Sequence, residues 1–157
     1  MPAPTEDQVL RNQMIAKMKA QNVPISPDVE QAMLLVPRHK FAHWLSLEQA
    51  YALEAHLLPG VTQATMSTIS HPSAMALMLE PLELKPGHQV LEIGAGTGYN
   101  AALIAQLVGL TGSITTVDIE PFIVVGAKTN LHSTGFGRIK VILGDGSLGC
   151  KDHAPYD

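Results

Sequence analysis

Three short apolar runs, HQVLEI at 88–93, SITTVDI at 113–119 and RIKVIL at 138–143, alternate with two helical stretches, and this alternation constrains the fold most. Each run is rich in β-branched or apolar residues, too short for a typical helix, and bounded by turn residues. Between them, residues 98–108 carry the spacing of an amphipathic helix that stops at Gly109, and 121–132 read as a second helix, broken near Gly135. Strands and helices alternating at this spacing build βαβ units, with parallel strands and right-handed crossovers. The expected class is α/β, with a βαβαβ unit forming the first half of a doubly wound parallel sheet.

Upstream of the sheet the pattern is helical. Thr5 and Gln8 read as a capping box for a helix carrying Leu10, Met14 and Met18, which Asn22-Val23-Pro24 breaks. Ser26 caps a second helix with Pro27 at its first position and Val29, Ala32, Met33 and Val36 as its apolar stripe. Pro37 ends it. A short helix or turn is expected within 45–51, and a further helix from Pro72 that Pro81 kinks or stops. The turn Lys85-Pro86-Gly87 divides the chain into a helical segment, 1–85, and a sheet segment, 86–157.

Composition narrows the partners. The formal charge of −4, with Lys and Arg scattered, leaves no basic footprint for nucleic acid or an anionic membrane. No run approaches the roughly 18 apolar residues of a membrane span. The opening MPAPTEDQ has acids where a signal peptide would be basic, and the single cysteine, Cys150, excludes an intrachain disulfide and suits a reducing compartment. A cytoplasmic location is expected. His39 and His43 stand four apart without a third ligand, so no metal is expected.

The turn after the first strand, LEIGAGTGYN, has glycines at 94, 96 and 98. A dinucleotide fingerprint needs G-x-G-x-x-G, and Tyr99 occupies the place of its last glycine. Three acids mark the carboxyl ends of the strands. Glu92 lies inside the first, Asp118 closes the second 20 residues after Gly98, and Asp145 follows the third. Together they would repel a pyrophosphate and suit a cationic nucleoside, with Asp118 placed to take ribose hydroxyls. Other readings stay open. Asp118 is a candidate cap for the next helix, Asp145 an ordinary turn residue, Glu92 a salt-bridged core acid, and the glycines a purely structural turn or an NAD site.

This arrangement resembles the Rossmann-like class I methyltransferase fold, whose cofactor is S-adenosylmethionine. More specifically, NVPISPDVEQAMLLVPRHKF, Ala50-Tyr51, TISHPSAMALMLEPLELKPGHQVLEIGAGTGYNAALIAQLVG, GDGSLG and the final APYD closely resemble the protein-L-isoaspartate O-methyltransferase family. The VPRH block and the TIS-x-P turn are its distinctive parts; the glycine motif is shared by the whole class. The resemblance implies that Ser70 is the active-site serine, near the transferred methyl and the substrate carboxylate. Thr68 and Ile69, of the same motif, are expected to contact the cofactor. It implies that Gly94, Ala95, Gly96, Thr97 and Gly98 surround the methionine part of the cofactor, Asp118 the ribose, and Asp145 with Gly146 the adenine; Glu92 is counted with them as an expected cofactor contact from its place in the strand.

The implied activity is methylation of the free α-carboxylate of L-isoaspartyl residues in aged proteins, after which the ester closes to a succinimide. A carboxylate nucleophile is ionised at neutral pH, so no general base is required, and none is evident. Ser70, two residues before Pro72, also reads as a helix cap. Leu53 stands where the family carries an acid and Ser67 where it carries a glutamine. The resemblance further implies that Asp157 falls where a fourth strand begins, which would leave residues 89–93 as an open, apolar sheet edge able to self-associate. A non-catalytic cofactor-binding or dimerising relative, and a class I methyltransferase with another acceptor, remain as alternatives.

Overall fold

The computed structural model describes residues 3–62 and 66–157. Residues 63–65, within the loop that departs from the family pattern, lie outside the described residues. Helix α1 (Glu6–Ala20) starts with Gln8 Oε1 accepting the Thr5 backbone N–H at 2.9 Å, and α2 (Pro27–Leu35) with Ser26 Oγ accepting from Val29 N at 3.3 Å. Their buried faces, Met14, Ile15 and Met18 on α1 and Val29, Ala32 and Met33 on α2, belong to one apolar cluster. A 3-10 turn at Arg38–Phe41 leads to the short α3 (Leu47–Ala50). That turn ends before His43, so His39 and His43 do not share a helix face.

Two residues at a time then pair antiparallel: β1 (His56–Leu57) with β2 (Thr68–Ile69). Helix α4 (Pro72–Leu79) follows and gives way to a 3-10 turn, Glu80–Leu82, at Pro81. Its N-cap is His71, whose Nδ1 accepts from Ser73 N at 3.1 Å. The capping expectation for Ser70 is thereby corrected: the residue next to Pro72 takes the cap, and Ser70 lies between β2 and that cap.

The sheet follows the expected alternation: β3 (Gln89–Ile93), α5 (Tyr99–Val108), β4 (Ser113–Asp118), α6 (Pro121–Ser133) and β5 (Lys140–Leu143). The strands are parallel in the order β3-β4-β5, so β4 is central and its residues Ile114, Thr115, Thr116 and Val117 are buried. β3 is an edge, with Ile93 56% exposed. Only its first residue is met from that side: Asp157 N donates to Gln89 O at 3.0 Å and Gln89 N donates to Asp157 Oδ2 at 2.7 Å. Beyond it no strand of the described residues covers the edge. A single apolar cluster joins the N-terminal helices to α5, α6 and the sheet, so the helical segment braces the loops at the carboxyl ends of the strands.

Candidate functional site

The strands deliver their last residues to one edge, and the glycine loop turns there. Gly94, Gly96 and Gly98 all have positive φ, at +94°, +52° and +84°. That conformation favours glycine because a Cβ would meet the carbonyl. Two of them have different surroundings. A Cβ on Gly98 would lie 2.9 Å from Leu131 Cγ, so Gly98 lets α5 pack on α6, whereas a Cβ on Gly94 would meet nothing within 4 Å. Gly94 is therefore the position where the backbone is open to a ligand.

Thr68, Ile69 and Ser70 face residues 94–97 across a small cavity of about 70 Å³ that Tyr99 and Asn100 also line. Thr68 O would be 3.8 Å from a Cβ on Gly96. The TIS segment and the glycine loop, far apart in sequence, are thus brought together as the sequence reading expects. Asp118 braces the same loop: its Oδ2 accepts from Gly96 N at 3.3 Å and its Oδ1 from Glu120 N at 3.1 Å. It is not the cap of α6, whose N-cap is Glu120. Asp145 Oδ1 accepts from Ser147 N at 2.9 Å, which opens a short 3-10 turn, and the Ser147 hydroxyl together with that N–H holds the carboxyl below its ordinary pKa. The turn-residue reading of Asp145 is correct locally. Beside it, a Cβ on Gly146 would fall 2.3 Å from Ile93 Cγ2, so only glycine lets this turn close against the end of β3.

Glu92 is placed differently. Its Oε1 accepts from Asn100 Nδ2 at 2.8 Å, and it stands opposite Thr116 in the parallel register. No cation pairs with it among the described residues, so the salt-bridge alternative fails. Burial, only partly offset by the Asn100 amide, pushes its carboxyl up to about 7. Glu92 Oε2, Asn100 Oδ1 and Thr116 Oγ1 are all shielded without a hydrogen-bond partner. Protonation spares Glu92 the cost of holding a charge away from water, which is the physical sense of its raised pKa.

Arg38 was not singled out by its residue type, yet it holds the back of the site. It is fully buried, with Nε donating to Ala50 O and Nη2 to Ser70 O, both at 2.8 Å. Its guanidinium lies 5.2 Å from the centre of the Tyr99 ring. No carboxylate pairs with it among the described residues, and burial lowers its pKa. Three elements therefore meet on one cation: the end of α3, the TIS segment and the start of α5. The signal available in sequence was the VPRH block itself, since a lone arginine otherwise reads as a surface cation. Asn130 adds a second tie, donating from Nδ2 to Thr97 O at 3.0 Å.

The comparisons with known proteins agree with this geometry. Residues 9–157 match the family model described as protein-L-isoaspartate(D-aspartate) O-methyltransferase (PCMT). The chain is 48% identical over 134 residues to the protein-L-isoaspartate O-methyltransferase of Methanosarcina mazei, covering 85% of this chain and 53% of that one. It is 41% identical over 148 residues to the enzyme of the same name from Methanopyrus kandleri, covering 94% and 63%. A solved structure named protein-L-isoaspartate O-methyltransferase superposes with a TM-score of 0.82 at 34% identity, over 94% of this chain and 46% of the other. The chain thus spans between about half and two thirds of the length of these relatives. The architecture is the Rossmann-like class I methyltransferase fold, and with the TIS segment closing on the glycine loop as that family's motif implies, the chain belongs to the protein-L-isoaspartate(D-aspartate) O-methyltransferase family.

Proposed function

We propose that this chain supplies the S-adenosylmethionine site and the active-site serine of an enzyme that methylates the α-carboxylate of L-isoaspartyl residues in damaged proteins. The observation that carries the reading is the meeting of Thr68, Ile69 and Ser70 with residues 94–97 around one cavity. The residues fit the cofactor. Gly94 presents open backbone, and Asp118 and Asp145 give the strand edge negative charge without an ion pair among the described residues. Gly94, Ala95, Gly96 and Thr97 would hold its methionine part, Asp118 the ribose, and Asp145 with Gly146 the adenine. Gly98 acts through the packing of α5, and Glu92 from beneath the loop.

When bound, the cofactor supplies an electrophilic methyl on a sulfonium. The chain's own residues have only to align and to dry the site. The substrate carboxylate is ionised at neutral pH and is itself the nucleophile. Ser70 orients one carboxylate oxygen, Arg38 fixes the Ser70 backbone from behind, and the TIS segment screens the loop from water. In this division of labour residues 1–85 carry the substrate side and 86–157 the cofactor side. A cytoplasmic, reducing setting suits a chain with one cysteine, and among the described residues no helix is long and apolar enough to cross a membrane. The exposed edge of β3 is the surface through which this chain would associate with itself.

Transfer of labelled methyl from S-adenosylmethionine to an isoaspartyl peptide, with the aspartyl peptide as control, tests the reading. Labelling of the isoaspartyl peptide alone is expected. Binding of S-adenosylhomocysteine without any transfer would favour a cofactor-binding relative instead.

A further inference from the structure

A second, larger cleft adjoins the small cavity and shares Gly96 and Thr97 with it. Its volume is about 270 Å³. One wall is Trp44, His43, Leu58 and Pro59 from the N-terminal segment, and the other is α6, with Phe122 and Gly126 facing in. Among the described residues no Lys, Arg, Asp or Glu lines it, which argues against a phosphate, a cation or a charged side chain. Its polar groups are few, and the Asn130 amide is already committed to Thr97 O at 3.0 Å. The volume falls just below the range of about 300–1,000 Å³ usual for small-molecule sites, and suits one large side chain.

Gly126 is the telling residue. A mid-helix glycine is unfavourable relative to alanine, and here no neighbour requires it, since a Cβ at this position would meet nothing within 4 Å. The space it leaves opens on the cleft rather than serving the packing of α6. Phe122 is 43% exposed at the first turn of the same helix, an apolar surface left for something to cover.

We infer that this cleft is a specificity pocket for an aromatic or branched aliphatic side chain of the substrate polypeptide, close in sequence to the isoaspartyl residue. The inference rests on the methyltransferase reading, because Gly96 and Thr97, which line both this cleft and the Ser70 cavity, set the cleft beside the substrate and so identify the occupant. A peptide held at Ser70 can place a neighbouring residue there, where burial of an apolar side chain gives affinity with little demand on hydrogen bonding.

Trp44, the only tryptophan of the chain, makes the test direct. Capped isoaspartyl peptides with Phe or Gly, placed immediately before or immediately after the isoaspartyl residue, are titrated against Trp44 fluorescence, with and without saturating S-adenosylhomocysteine. At one of the two positions Phe should bind about tenfold or more tightly than Gly. Gly126→Leu should remove that preference while leaving affinity for S-adenosylhomocysteine within about twofold. Phe122→Ala, which opens the wall instead of filling the pocket, should reduce the preference too. Equal affinity of the Phe and Gly peptides at both positions, absence of peptide binding, or a preference that survives Gly126→Leu in a folded protein would overturn the inference. Loss of S-adenosylhomocysteine binding in the unsubstituted chain would instead overturn the methyltransferase reading, and the peptide comparison made without it still judges the pocket.

Discussion

At the scale of single residues, two buried ionisable groups, Glu92 and Arg38, govern the site, and neither has a counter-ion among the described residues. The Glu92 carboxyl, raised to about 7, is protonated more readily in the fold than in the unfolded chain. Its contribution is fully present below the ordinary carboxylate pKa and is lost as pH rises through about 7. Stability should therefore fall between roughly pH 4.5 and pH 7 by up to about 3 kcal/mol from this group. Glu92→Gln, measured by urea denaturation across that range, should flatten the fall and stabilise the chain at pH 8. An unchanged slope would contradict the assignment. Arg38→Met should cost about 3 kcal/mol, because the carbonyls of Ala50 and Ser70 lose a buried donor, and Arg38→Lys should recover only part of it. A change below about 0.5 kcal/mol would contradict the role given to Arg38. These burial effects were hidden in the sequence for one reason. Residue type reports a charge, whereas only the packing of distant segments reports whether water reaches it.

At the scale of elements, turn chemistry made most of the fold legible. Proline and capping residues marked the starts of α1 and α2, and glycines marked the ends of α5 and the loop before it. What could not be read was local choice between equivalent neighbours. Ser70 and His71 both stand before Pro72, and the cap goes to His71 through its ring nitrogen. The two-residue strands β1 and β2 are too short to show a period of two, and their pairing joins residues 56–57 to 68–69. The glycine loop offers a sharp test at this scale. Gly94→Ala and Gly98→Ala share the strain of positive φ, about 1–2 kcal/mol each. Only Gly98→Ala also drives a Cβ into Leu131. Thermal denaturation should find Gly98→Ala clearly the more destabilised, while Gly94→Ala should lose S-adenosylhomocysteine affinity with the smaller loss of stability. The reverse order would mean that the two glycines have exchanged roles.

At the scale of the whole molecule, helices and sheet share one core, and beyond Asp157 no strand of the described residues covers the open side of β3. Sedimentation velocity should show concentration-dependent association of the chain, which Ile93→Lys on this edge should weaken. A monomer at all concentrations, with or without the substitution, would leave the edge no such role. The arrangement of strand ends, glycine loop and TIS segment concerns the molecule as a whole, because it draws on residues 38 to 146. Its central claim is that this assembly holds S-adenosylmethionine. Titration calorimetry with S-adenosylhomocysteine, and with NAD as the control, tests it most directly. The account predicts saturable binding of S-adenosylhomocysteine and none of NAD. A folded chain that binds neither, or that binds NAD in its place, would contradict it.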